Sequence, residues 1–272
     1  MTVDPADLSG RTALVTGASA GIGAAFARAL AAAGADLVLV ARRADRLTQL
    51  ADELRDRHGR DVRVHAADIA ERGAAARLAA DLGGAGVRVD VLVNNAGVGL
   101  PARPLHEAEP GALTKMLDLN VVALTELTRA FLPPMVATGY GAVVNVASAA
   151  AFQPLARVAA YAATKAYVVS LTEAVWAETR GTGVRVLAVC PGMTAPEFFD
   201  TAGAQPSGAQ VQTPEQVVAE AMAALAGRAP TVVTGRRNRM LAVLPRLLPR
   251  GLTARVADRS TRATRVPEQT SR

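Results

Sequence analysis

The stretch Tyr-Ala-Ala-Thr-Lys at residues 161–165 sets a phenol and an ammonium four residues apart. On a helix, positions i and i+4 share a face, so Tyr161 and Lys165 can point into one cleft. A phenol ionises near pH ~10 and exchanges protons poorly at neutral pH. A nearby ammonium favours the phenolate and lowers that pKa. The pair therefore reads as a proton-transfer centre acting on oxygen. The chain has only two lysines, Lys115 and Lys165, among its 30 basic residues. A lysine kept amid arginines marks a chemical demand, because arginine is bulkier and never releases its proton. Taken alone, the spacing also fits a solvated lysine on an alanine-rich helix.

Other polar residues stand where they could join the pair. Ser148 closes the apolar run "VVNVAS", thirteen residues before Tyr161. Asn120 lies inside a helical stretch, "LDLNVVAL", where asparagine has poor propensity. "NNAG" (Asn94–Gly97) and "CPGMT" (Cys190–Thr194) close two further apolar runs. In open α/β sheets the carboxyl ends of the strands are where ligands bind.

The elements that must position these groups follow from periodicity. Strands are predicted at Thr12–Thr16, Leu37–Ala41, Val62–Ala66, Val89–Asn94, Ala142–Ala147 and Val184–Cys190, with a shorter seventh at Thr231–Thr234. Helices are predicted at Ile22–Ala33, Arg43–Arg57, Gly73–Leu82, Gly111–Ala137, Ala160–Thr179 and Pro214–Ala226. The strands are apolar on both faces, as in a parallel sheet covered by helices on each side. The fold class is α/β: a single Rossmann-fold domain with a doubly wound, parallel, seven-stranded sheet.

"TGASAGIG", Thr16 to Gly23, joins the first strand to the first helix. Glycines at 17, 21 and 23 allow a tight turn and close approach of a pyrophosphate to a helix N-terminus. Gly17, Ser19, Gly21, Ile22 and Gly23 are the candidate cofactor residues of this loop. An NAD site usually carries an acid at the end of the second strand to hold the ribose hydroxyls. Here Ala41, Arg42 and Arg43 stand there, so a 2′-phosphate is favoured and NADP(H) is expected over NAD(H). The two arginines would otherwise cap a solvated helix start. Asp68 either accepts from an adenine amino group or serves as an N-cap.

The bulk numbers exclude other classes. Half the residues are apolar and 20% are charged, as in a globular chain. No apolar run reaches the roughly 18–20 residues of a membrane-spanning helix, and the N-terminal residues lack the apolar core of a secretory signal. The single cysteine, Cys190, excludes an internal disulfide and suits a reducing, cytoplasmic setting. The net charge of +6 comes from the tail. Residues 236–272 hold ten arginines and two acids, leaving a slightly acidic body, so no nucleic-acid face is expected. The three histidines are scattered and no metal-ligand spacing appears.

Over roughly residues 10–200 the sequence resembles the short-chain dehydrogenase/reductase superfamily, through "TGASAGIG", "NNAG", Asn120, Ser148, "YAATK" and "PG". The resemblance implies that Tyr161 is the acid–base residue, that Lys165 binds the nicotinamide ribose and lowers the tyrosine pKa, and that Ser148 orients the substrate oxygen. Asn120 would hold a water in a proton relay to Lys165. It adds Asn94, Ala96, Gly97, Pro191, Gly192 and Thr194, with Tyr161 and Lys165, to the cofactor-binding set. Hydride would pass between nicotinamide and a carbonyl/alcohol pair, and a homodimer or homotetramer would form through the long helices. A non-catalytic NADP(H)-binding sensor or assembly subunit is the rival reading.

The remaining segments divide as a catalytic domain over 1–235 and a basic extension over 236–272 whose last residues are expected to be disordered. Residues 195–212 are read as a substrate lid, with Phe198 and Phe199 pointing to an apolar or acyl-type substrate or simply anchoring a helix. In the tail, Met240, Leu244, Leu247, Leu248, Leu252 and Val256 form a candidate apolar stripe broken by Pro245 and Pro249. A packed lid, an oligomer arm and a weak membrane-surface contact through the arginines are the alternatives for it.

Overall fold

Seven strands, β1 (Thr12–Thr16), β2 (Asp36–Ala41), β3 (Val62–Ala66), β4 (Val91–Asn94), β5 (Gly141–Val146), β6 (Val184–Cys190) and β7 (Thr231–Val233), form one sheet in the order β3-β2-β1-β4-β5-β6-β7. Every neighbouring pair is parallel. This computed structural model describes residues 3–194, 211–243 and 249–263. The chain runs outward from β1 to β3 and then returns to place β4 on the other side of β1. Such a reversal leaves a crevice at the carboxyl ends of the two central strands.

Successive strand residues face opposite sides, so each apolar run splits into two rows. In β1, Ala13 and Val15 join one buried cluster while Leu14 joins the other. Leu37 and Leu39 of β2 part from Val38 and Val40 in the same way, as Val91 and Val93 of β4 part from Leu92. Helices α1 (Gly21–Ala32) and α2 (Ala44–His58) bring Phe26 and Leu47 to the first face. On the second face α3 (Ala74–Gly84) contributes Leu78. Strand β3 departs from the two-faced pattern: Arg63 and Ala66 are exposed, as its place at the sheet edge allows.

The predicted helix over 111–137 is a compound element. It comprises α4 (Pro110–Leu117), a π-helical segment at Asp118–Ala123 and α5 (Leu124–Thr138). The sixth helix, α6 (Ala159–Glu178), carries Tyr161 and Lys165 in its first two turns. With Phe131 of α5, its Val175 completes the second core. Helix α7 (Pro214–Ala226) opens on a capping box between Thr213 and Gln216 and sends Val217, Val218 and Ala221 into the first core.

Two short helices follow, α8 (Arg236–Val243) and α9 (Arg250–Ala263). A carboxylate on α7 pins the start of α8: Glu220 accepts from Gln212 Nε2 at 3.1 Å, from Gly235 N at 3.0 Å and from Arg239 Nη2 at 2.7 Å. The described members of the apolar stripe predicted for the tail do not pack. Met240, Leu252 and Val256 are exposed, whereas Ala242, Thr253 and Ala257 are buried. Small side chains permit the closer approach of a helix to a surface, so this register wins. Leu244, Leu247 and Leu248 of that stripe, residues 195–210 of the predicted lid with Phe198 and Phe199, and the final residues 264–272 lie outside the described residues.

Candidate active site

The glycine loop is shaped by two left-handed residues, Gly17 (φ 65°) and Gly21 (φ 54°), where any side chain would strain the backbone. Gly23 is required by space: a Cβ there would overlap the Gly17 carbonyl. The N-terminus of α1 has no capping side chain and no acid in its first turn. Its N–H groups and dipole are thus available to an anion.

The loop is locked to β4 by Thr16 and Asn95. Asn95 Nδ2 donates to Thr16 O at 3.0 Å and Gly17 O at 3.3 Å, while the Asn95 and Ala96 amides donate to Thr16 Oγ1 at 3.0 and 3.1 Å. Of the two asparagines of "NNAG", the second touches the loop and the candidate Asn94 does not. Asn94 faces the opposite way, into the helix layer. Its Nδ2 donates to Thr128 Oγ1 at 3.1 Å and to Asn145 Oδ1 at 2.9 Å, and Asn145 in turn donates to Thr172 at 3.0 Å. The period-two rule holds the signal for this, because Asn94 shares a row with Leu92.

Beside the loop, Arg43 donates from Nε and Nη2 to Ser19 Oγ at 3.2 and 3.0 Å. Arg42 is exposed, its Nη1 3.9 Å from Asp68 Oδ2. Asp68 also accepts from the Ala70 amide at 3.0 Å, closing a turn ahead of α3 rather than capping that helix. Ile22 packs at the margin of the first core and Ala96 at that of the second.

At the end of β5 the proton-transfer groups converge. Ser148 Oγ accepts from the Ala150 amide at 3.1 Å, capping a short 3-10 turn, and its hydroxyl also bonds the Tyr161 phenol. Lys165 is buried, donates to Val146 O at 2.9 Å, and lies 5.9 Å from the centre of the Tyr161 ring. Gly97 makes room for it: a Cβ there would stand 3.3 Å from Lys165 Nζ and 3.2 Å from Asn120 Oδ1.

The π-helical segment explains the mid-helix asparagine. Asn120 reaches across to the strand loop, accepting from Val98 N at 2.9 Å and donating to Val98 O at 2.9 Å and to Thr164 Oγ1 at 3.2 Å. Thr164, which donates to the Tyr161 carbonyl at 2.7 Å, went unnoticed in the sequence because threonine in a helix carries no special mark.

Pro191 O accepts from the Ala149 amide at 2.8 Å, tying "PG" to the Ser148 turn. Gly192 lies against the Asn238 side chain of α8, and a Cβ at 192 would collide with it. Thr194 pairs with Gln212, so both ends of the 195–210 segment meet here.

The electrostatics correct one expectation. Tyr161 is not brought below its ordinary pKa: burial pushes it up to about 12, with Ser148 pulling the other way. Burial also drives Lys165 down to about 8. An ammonium whose charge is itself disfavoured, and which is already bonded to a backbone carbonyl, gives the phenolate little support.

A reversing parallel sheet with a glycine loop at its central crevice defines a dinucleotide-binding α/β protein. More narrowly, the chain belongs to the short chain dehydrogenase family, whose model matches residues 11–207. It is 42% identical over 188 residues to sulfoacetaldehyde reductase 2 of Chromohalobacter salexigens, covering 68% of this chain and 73% of that protein. It is 36% identical to the NADP-dependent 3-hydroxy acid dehydrogenase YdfG of Escherichia coli, covering 68% and 73% of the two chains.

Among solved structures, one from work on 7β-hydroxysteroid dehydrogenase stereoselectivity superposes with TM-score 0.83 at 28% identity, covering 94% of this chain and 99% of that one. A short-chain dehydrogenase from Sphingobium yanoikuyae in complex with NADPH gives 0.78 at 32% identity, covering 96% and 98%.

Proposed function

We propose that this chain is an NADP(H)-dependent oxidoreductase that interconverts a small carbonyl compound and its alcohol. The observation that carries the reading is the convergence of Tyr161, Ser148 and Lys165 at the end of β5, joined through Asn95–Gly97 to the glycine loop. A dinucleotide fits the residues present, since the loop geometry that a Cβ would destroy and the uncapped α1 terminus suit a pyrophosphate. Ser19, Arg42 and Arg43 form a cationic, hydroxyl-bearing corner suited to a 2′-phosphate. A relative named as NADP-dependent and a neighbour in complex with NADPH support the same cofactor.

When bound, the nicotinamide supplies or accepts the hydride. The protein's own residues handle the proton. A phenol that stays protonated at neutral pH acts as donor to the oxygen of a carbonyl. Ser148, already bonded to that phenol, orients the same oxygen. Lys165 titrates just above neutrality, which suits an ammonium that holds ribose hydroxyls and returns a proton to the phenol. Asn120 keeps the Val98 loop against α6 so that these groups stay in register.

The catalytic unit spans 1–235. The substrate has an apolar or acyl-type body, a reading supported by Leu100, Leu113 and Met116 beside Tyr161. Assembly as a homodimer or homotetramer and a cytoplasmic setting belong to the same proposal. No helix among the described residues is long and apolar enough to cross a membrane.

The test is NADPH oxidation over a panel of aldehydes, ketones, oxo acids and acyl thioesters. Tyr161→Phe should remove at least a hundredfold of turnover while leaving NADPH affinity intact. Unchanged turnover in that variant would refute the reading. Tight NADPH binding with no carbonyl reduced would move the assignment to a non-catalytic sensor or assembly subunit.

A further inference from the structure

Arg157 combines two unfavourable features beside the reacting phenol. Its φ of 69° is the only positive value on a non-glycine residue among the described residues. A side chain in that left-handed region is strained, and such strain collects at functional sites. Its Nε is also buried without a hydrogen-bond partner among the described residues. A desolvated donor left unpaired is unfavourable, and a charged one more so. Asn94 Oδ1 and Arg185 Nη2 share the second feature, but neither residue has the first, and neither borders Tyr161.

The surroundings say what the Arg157 side chain could bind. The Arg157 carbonyl accepts from the Arg103 amide at 2.9 Å, which holds two arginines on one rim. Both line a narrow hollow with Tyr161, Leu100, Leu113 and Met116. The hollow thus offers an apolar wall, a proton donor and two arginines, a residue type whose planar fork matches an acid group with two or three oxygens.

We infer that Arg157, seconded by Arg103, is a specificity-determining residue that binds an acidic head group of the substrate. The substrate class is then a short oxo acid, a carbonyl on an apolar stem ending in a carboxylate or sulfonate. The inference rests on the oxidoreductase reading, because it names the substrate of the same site.

Paired probes that differ mainly in charge test it: succinic semialdehyde against its methyl ester, and sulfoacetaldehyde against propanal, each with NADPH. The wild type should favour the acids by roughly tenfold to a hundredfold in kcat/KM, the range of one charge-assisted contact. The sulfoacetaldehyde arm decides between the two head groups.

Arg157→Met should erase the preference by raising KM for the acids, with the parameters for ester and propanal unchanged. Arg157→Lys should restore part of it. Arg157→Gly should raise the melting temperature by a few degrees through relief of strain while still losing the preference, a combination that a structural arginine would not give.

Equal use of acid and ester by the wild type would overturn the inference, as would a uniform loss on all four probes in Arg157→Met. Calorimetry with succinate, which carries a second carboxylate in place of the reducible aldehyde, reads the anion site apart from the reaction. Succinate binding to the NADPH-loaded protein that Arg157→Met abolishes supports the inference, and no binding overturns it. Turnover of propanal without any acid preference would sink this inference alone. Anion binding with no carbonyl turned over would sink the oxidoreductase reading alone.

Discussion

Replacing Lys165 with methionine should make the cofactor-free protein more stable at neutral pH, although it removes a functional residue. Burial lowers the lysine from 10.5 to about 8. At ~1.4 kcal/mol per pH unit, holding the ammonium in the fold at pH 7 costs about 3 kcal/mol. Methionine abolishes that cost and forfeits the bond to Val146 O, worth about 1 kcal/mol. The net gain is roughly 2 kcal/mol, or roughly 4–8 °C in Tm for a chain of this size.

The pH dependence separates this cause from a packing effect. The unfolded chain holds the Lys165 proton more tightly than the fold, so wild-type stability rises with pH between about 8 and 10.5. The gap between variant and wild type should therefore shrink by about 2 kcal/mol from pH 7 to pH ~9.5. Other titrating groups act equally on both proteins and cancel. Thermal melts at both pH values, without cofactor, measure it. A variant less stable than wild type at pH 7, or a gap indifferent to pH, would refute the argument.

Gly23→Ala should lower NADPH affinity more than tenfold with little loss of helix content, since its Cβ would strike the Gly17 carbonyl in the loop; calorimetry reads it. Arg43→Ala should weaken NADPH roughly tenfold and NADH hardly at all, as expected for one charge-assisted contact to a 2′-phosphate; the ratio of the two Kd values is the check. Asn145→Ala should destabilise by about 1–3 kcal/mol in urea melts, because it removes two buried hydrogen bonds, one from Asn94 Nδ2 and one to Thr172 Oγ1.

How far the sequence speaks depends on how local the cause is. Strands β1, β3 and β6 begin and end where periodicity puts them, since apolar runs flanked by turns decide them. Strand β4 begins at Val91, two residues later than predicted, because the Asp90 carboxylate is taken up by Arg88 and by the Thr12 amide. Tyr161, Lys165, Ser148 and Asn120 could be read because each is an odd residue type for its place.

Asn94 could be sorted from Asn95 only by counting strand faces, and the pKa of Tyr161 only by knowing how deeply the phenol lies. Arg157 gives no sign at all in one dimension. Nothing in "PLARVAAY" says that an arginine must adopt a glycine-like backbone angle. Its Arg103 partner lies far away in the chain and meets it only through the tertiary fold.

The near absence of lysine has a practical side. Only Lys115 and Lys165 bear side-chain amines, the first exposed on α4 and the second buried beneath Tyr161. An amine-directed label will therefore mark Lys115 rapidly and Lys165 only during openings of the cleft. The ratio of label at the two positions, read from one digest, becomes an internal clock for cleft opening. Any ligand that seals the cleft should slow one hand of that clock and leave the other running.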